Sequence, residues 1–140
     1  MEKRIAACVC VVVLSCLLLS GCQNQGTAVS DMSSKIRLDS HGLVKFVHSS
    51  MDRIKDQKSG AESVKVSWMF QNNVSRTINI RINVQFFDAA NKLLYNQTKQ
   101  LENMVPGYKE QYFSPANWVL FSGPDAVKVD HVVISTTEII

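Results

Sequence analysis

The chain has 140 residues, 46% of them hydrophobic, and 15 Lys+Arg against 12 Asp+Glu give it a formal net charge of +3. This length allows one domain, and the scattered basic residues form none of the runs typical of nucleic-acid-binding proteins, so we expect no nucleic-acid partner. All four cysteines lie within the first 22 residues, which excludes a disulfide framework in the rest of the chain.

The amino terminus has the pattern of an export signal. Lys3 and Arg4 precede an apolar stretch, residues 5–19, which is shorter than the about 20 residues that a spanning helix needs. Leu19-Ser20-Gly21-Cys22 follows and resembles the lipobox of bacterial lipoproteins, an aliphatic residue and two small residues before a cysteine. We therefore predict that residues 1–21 are a signal peptide and that Cys22 is lipidated; a plain secretory signal is the alternative.

A lipid on Cys22 makes the membrane the first expected partner. Two or three acyl chains anchor a protein stably, whereas one holds it only marginally. Gln23, rather than an aspartate, follows the cysteine, which favours the outer membrane with the domain facing the periplasm. Residues 22–34 are polar and aperiodic, so we predict a lipidated cysteine followed by a flexible tether, with a β-domain over residues 35–140.

The first predicted strands flank a turn at residues 40–42. Ile36-Arg37-Leu38 precedes this turn and the apolar stretch 43–47 follows it. Met51–Ser63 is charged, polar and interrupted by Gly60, so we predict a loop there.

The clearest periodicity lies in the middle of the chain. Apolar and polar residues alternate over 64–70 and again over 78–86, which predicts two strands that each bury one face. In the second strand the even-numbered residues are apolar. Asn72-Asn73 supplies turn residues between them, and two such strands joined by a short loop predict a β-hairpin.

The remainder alternates turn residues with short strands. The predicted turns are 88–91, 104–107 and 123–125, and the predicted strands are 92–99, 108–113 and 127–135. The alternation of the last strand slips at Asp130 and His131, which indicates a bulge. Six or seven short strands without a long helix predict an all-β, immunoglobulin-like antiparallel sandwich, with a small barrel as the alternative.

Three stretches resemble the YcfL-like family of small bacterial lipoproteins. They are Val66–Asn72, Val84–Asn91 and Val105-Pro106-Gly107, within a resemblance that covers roughly residues 63 to 135. Phe86-Phe87 and Asn91 depart from the family, which often has Tyr or Trp before the aspartate and Gly after Asp-Ala. The resemblance implies a β-sandwich in the cell envelope and carries over no functional residue.

No pattern in the sequence predicts catalysis or a cofactor. His48 and Met51 are the closest histidine–methionine pair, but copper coordination needs three or four convergent ligands, so we predict no metal site. Asp88 and most other carboxylates lie at expected turns, where aspartate serves local hydrogen bonding. We therefore predict that the protein is not an enzyme.

The segment Phe113–Phe121 is rich in aromatic residues and is predicted to be a loop around Pro115. Its rings either cap one end of the sandwich or, on the surface, make Trp118 and Phe121 anchors for a partner. We predict a lipid-anchored, non-catalytic binding or structural module whose partner is an envelope protein or a cell-wall glycan. The alternative is a periplasmic carrier of a metal or a small ligand.

Overall fold

Eight β-strands and two short 3₁₀ turns account for most of the residues that this computed structural model describes, 27–107 and 118–140. The turns are Ser33–Lys35 and Ala126–Lys128. The strands are β1 (Thr27–Asp31), β2 (Ile36–Asp39), β3 (Val44–Asp56), β4 (Glu62–Asn72), β5 (Ile78–Phe87), β6 (Leu93–Met104), β7 (Trp118–Ser122) and β8 (His131–Glu138).

The strands form two four-stranded sheets. The first sheet has the order β1-β3-β4-β7 and the second has the order β2-β8-β5-β6. Every neighbouring pair is antiparallel except β2 and β8, which are parallel. This arrangement confirms the predicted all-β sandwich. The described strands outnumber the predicted six or seven, and β3, β4 and β6 are long rather than short, with 13, 11 and 12 residues.

The core lies between the sheets and is built from the alternating residues of β4 and β5. The even-numbered residues 78–86 of β5 are all at most 2% exposed, and so are Val64, Val66, Trp68 and Phe70 of β4. Because successive side chains in a strand point to opposite faces, each strand lends one apolar row to the core. The predicted buried face of both strands is confirmed.

The predicted hairpin between these two strands is wrong. β4 and β5 belong to different sheets, and their connection crosses from one layer to the other. Asn72 organises this crossing, because its Nδ2 donates to the carbonyl oxygens of Arg76 and Met104, both at 2.8 Å, and its Oδ1 accepts from the Val74 N–H. Apolar and polar residues alternate in the same way in the two strands of a hairpin and in two strands that face each other across a core. The sequence pattern therefore could not distinguish the two arrangements.

The predicted loop over Met51–Ser63 is also wrong. β3 continues to Asp56 and β4 begins at Glu62, so only five residues separate the strands. The charged side chains are accommodated because Arg53 has partners within the fold. Its Nη1 donates to Glu62 Oε2 at 2.9 Å, and its Nη2 donates to the carbonyl oxygen of Val129 at 2.6 Å.

The tether predicted to reach Ser34 ends earlier, because Thr27–Asp31 is strand β1 and pairs with β3. All five residues of β1 are exposed, which explains why their composition resembles that of a linker. The Met32 N–H donates to the Met51 carbonyl oxygen at 2.7 Å and fixes the end of the strand. Residues 22–26 lie outside the described residues.

The carboxyl-terminal strand begins later than predicted. β8 starts at His131, and the slip in alternation at Asp130 and His131 marks the start of this strand rather than a bulge. Residues 126–128 instead form a 3₁₀ turn, and the Asp130 N–H donates to the Phe87 carbonyl oxygen at 2.8 Å. The strand predicted over 108–113 lies outside the described residues.

Candidate partner-binding surface

Trp118 and Phe121 both lie on β7, an edge strand of the first sheet, rather than in a loop. Phe121 is 8% exposed and belongs to the core. Its ring stacks on Tyr95, with centroids 4.8 Å apart, and contacts Phe86 at 5.5 Å. The prediction that Phe121 binds a partner is therefore wrong, because the side chain faces inward from its strand.

Trp118 lies on the opposite face of β7, which points away from the core, and is partly exposed. Two ammonium groups approach its ring, Lys65 Nζ at 5.4 Å and Lys99 Nζ at 5.8 Å from the centroid. Burial lowers the pKa of Lys99. Both distances fall within the range of cation–π attraction, so the lysines hold the indole in place.

The register extends this surface across the first sheet. Paired residues share a face, and Val29 pairs with Ile54 while Lys65 pairs with Leu120. Val29 is 63% exposed and Leu120 is 43% exposed. We call this surface the Trp118 face and define it as Val29, Ile54, Lys65, Met69, Trp118 and Leu120.

The Trp118 face gives the first sheet apolar side chains on both of its sides. A half-exposed antiparallel sheet usually presents polar residues to water. Here Val29 and Ile54 form one apolar group and Trp118 and Leu120 another, with Lys65 between them. Asp31 and Asp52 pair with each other beside Lys65, so the surface also carries charge of both signs. Lys65 and Lys99 were not found from the sequence because only the fold brings β4 and β6 to one tryptophan.

The histidine–methionine pair considered for copper does not converge. Met51 is fully buried in the core, whereas His48 is exposed on the outer side of β3. His131 stacks on Phe87 at 5.3 Å, and its Nδ1 lies 3.1 Å from Asp130 Oδ2. Within residues 27–107 and 118–140 no three His, Cys, Asp or Glu side chains are grouped so as to hold a metal ion.

Several carboxylates serve the turns in which they lie. Asp88 Oδ1 accepts from the N–H groups of Ala90 and Lys92, both at 2.9 Å, which confirms its interpretation as a turn-former. Hydrogen bonds from Ser59 lower the pKa of Asp56 in the β3–β4 turn. These oxygen atoms accept from the backbone, so they stabilise local structure.

Two surface depressions of about 430 Å³ lie at opposite ends of the sandwich. One is lined by the β3–β4 turn and by Gly123, Pro124 and Val127. The other lies beside Arg76 and Glu138, a bidentate ion pair in which the guanidinium lowers the pKa of the carboxyl group. Neither depression is lined by Trp118.

Comparison with protein-family models, with curated proteins and with solved structures finds no match to this chain. Among the described residues no helix has the length and hydropathy needed to cross a membrane.

Proposed function

We propose that this chain is a lipid-anchored lipoprotein of the cell envelope that acts as a non-catalytic binding or structural module. The observation that carries the proposal is Trp118, held partly exposed between Lys65 and Lys99 on a face that also exposes Leu120. Tryptophan is enriched among the residues that dominate interface energetics. A ring that is already fixed loses little conformational freedom on binding, which favours affinity.

The position of β1 supports the anchor. Thr27 is five residues after Cys22, so the chain between their Cα atoms spans at most about 18 Å. Thr27 pairs with Asp56, and we call this end of the sandwich the Thr27 end. A lipid on Cys22 would keep the Thr27 end close to the bilayer, in keeping with the resemblance to YcfL-like lipoproteins and with an outer-membrane position facing the periplasm.

The partner that best fits the Trp118 face is another envelope protein. Trp118 and Leu120 offer apolar surface on β7, and Val29 and Ile54 add aliphatic surface on the other side of Lys65. Protein interfaces combine aromatic and aliphatic residues with polar ones in this way. Asp52 and Lys65, which pair in the ladder on the two inner strands, lie between these apolar groups and supply charges of both signs that a protein partner can match. A glycan would leave most of this aliphatic surface unmatched.

Photo-crosslinking in living cells tests this proposal. A photo-reactive residue in place of Leu120 should give one discrete protein adduct, and adding Trp118→Ala should remove it. The same residue in place of Thr137, which is exposed on the second sheet, serves as the matched control and should not give that adduct. An adduct that survives Trp118→Ala, or that forms equally from position 137, contradicts the proposal.

A further inference from the structure

The outer face of the second sheet is unusually rich in amide and hydroxyl side chains. On the inner strand β5, Asn83 pairs with Thr98 of β6 on one side and with Ser135 of β8 on the other. Gln85 of β5 pairs in the same way with Asn96 of β6 and Val133 of β8. We call this surface the amide face and define it as Asn79, Arg81, Asn83, Gln85, Asn96, Thr98, Gln100, Ser135 and Thr137. All of these residues are exposed or partly exposed.

Much of the hydrogen-bonding capacity of this face is directed to solvent. Thr98 Oγ1 lies 3.4 Å from Asn83 Oδ1, which is a long contact, and Asn79 Oδ1 accepts from the Asn103 N–H at 2.8 Å. Among the described residues, the side chains of Gln85 and Gln100 have no hydrogen-bond partner within the chain. Each amide side chain offers two donors and an acceptor, so the row can bind an external polar ligand.

The charge on this face is sparse and of both signs. Arg81 is the sole charged residue of β5. On β6, Lys99 pairs with the buried Ile82 and so belongs to the opposite face, whereas the exposed Glu102, two residues after Gln100, lies on the outer side. Arg37 adds a positive charge to the face on β2. The next outward residue of β2 is the acidic Asp39, whose Oδ2 lies 3.5 Å from His41 Nε2. The face is therefore suited to a polymer that is mostly uncharged, and Arg81 is available to an occasional carboxylate.

An aromatic ring borders the amide face at the Thr27 end. Phe87 follows Gln85 on the outer side of β5, is partly exposed, and stacks on His131 with an interplanar angle of 11°. An aromatic ring provides a rigid apolar surface on which the C–H face of a sugar can pack. A row of amides that ends in such a ring fits an extended saccharide better than it fits a protein, whose interfaces have an apolar centre.

We propose that the amide face binds a glycan strand of the cell wall, a polymer of N-acetylated amino sugars that carries carboxylate-bearing peptides. Hydroxyl and acetamido groups would pair with Asn83, Gln85 and Asn96, and the carboxylates would pair with Arg81. Many weak contacts along a polymer add to useful avidity. The inference rests on the proposed envelope location, but it concerns the sheet opposite the Trp118 face and does not depend on the proposed protein partner.

Co-sedimentation of the full-length protein, extracted in mild detergent, with purified cell-wall sacculi tests the inference. The wild type should sediment, and Asn83→Ala/Gln85→Ala/Asn96→Ala should bind roughly tenfold more weakly, since three modest hydrogen bonds are lost. Trp118→Ala is the matched control and should bind as the wild type does. A wild type that stays in the supernatant, or a triple variant that sediments equally, would overturn the inference.

A second variant and a second preparation of sacculi complete the experiment. If circular dichroism shows that the triple variant is unfolded, the double variant Gln85→Ala/Gln100→Ala replaces it, because these two side chains have no hydrogen-bond partner within the described chain. The double variant should also bind sacculi more weakly than the wild type. Sacculi stripped of their peptides by an amidase should still bind the wild type, with the effect of Arg81→Gln reduced. Binding that disappears with the peptides would overturn the assignment to a glycan.

Discussion

Arg53 is the charged residue most firmly built into the fold. Its side chain is 21% exposed, and Nη1 also donates to the carbonyl oxygens of Ala126 and Val127, both at 3.1 Å. These bonds join β3 to the turn that leads into β8. Arg53 therefore links the first sheet to the chain that enters the second sheet.

Replacing Arg53 should destabilise the protein strongly. Arg53→Ala removes the guanidinium donor from Glu62 and from three carbonyl groups, and we expect a loss of about 3 kcal/mol in the free energy of unfolding. Lys55→Ala is the control, because Lys55 is exposed and lies 3.8 Å from Glu62, and it should cost less than about 1 kcal/mol. Urea unfolding of the chain without residues 1–22 measures both, and similar losses would contradict the role of Arg53.

Cys22 carries the prediction on anchoring. Cys22→Ser should abolish the uptake of labelled fatty acid and leave the precursor uncut by the lipoprotein signal peptidase, because the thiol that accepts the lipid is missing. Cys16→Ser, in the apolar stretch, is the matched control and should be processed normally. A Cys22→Ser protein that is still labelled and fractionates as a mature membrane protein would show that the lipobox interpretation is wrong.

At the scale of elements, β5 is one of the two inner strands of the second sheet and lies between β8 and β6. Ile82 is fully buried, whereas its neighbour Asn83 faces outward on the amide face. One step along a strand reverses the face, so adjacent substitutions should differ sharply. Shortening Ile82 removes a large side chain from the core, whereas shortening Asn83 removes only its long hydrogen bond with Thr98.

We expect Ile82→Ala to lower the free energy of unfolding by roughly 2–5 kcal/mol, the range for deletion of a buried isoleucine side chain. Asn83→Ala should stay within about 0.5 kcal/mol of the parent protein. Urea unfolding of the two variants gives both values. Equal losses would mean that both faces of β5 are buried, which would contradict the arrangement of the sheets.

The buried faces of β4 and β5 could be predicted from alternation, but the sheet to which each strand belongs could not. A period of two reports which side chains are buried and not which strands pair. The extension of β3 to Asp56 was hidden because Arg53 finds partners more than 70 residues away. The Trp118 face depends on the same long-range topology, so the sequence indicated its tryptophan but not its lysines.

At the scale of the whole molecule, the proposed anchor and the two proposed binding faces together predict how the sandwich is oriented on the bilayer. β1 begins at the Thr27 end, and the 11 residues of β4 lead away from that end over about 35 Å. An upright sandwich would leave the Trp118 face and the amide face both accessible. A sandwich lying flat would cover one of them with lipid, and the two proposed partners could not bind together.

Energy transfer to labelled lipids tests this orientation. Cys22 is the sole cysteine after residue 21, and its thiol is occupied in the lipidated protein, so Lys58→Cys and Ser75→Cys accept a fluorophore selectively. Lys58 is exposed in the turn at the Thr27 end, and Ser75 is exposed at the opposite end, after β4. In proteoliposomes with acceptor headgroups, we expect strong transfer from position 58 and weak transfer from position 75. Equal transfer from both would mean that the sandwich lies along the bilayer, and only one of the two faces would then be available to a partner.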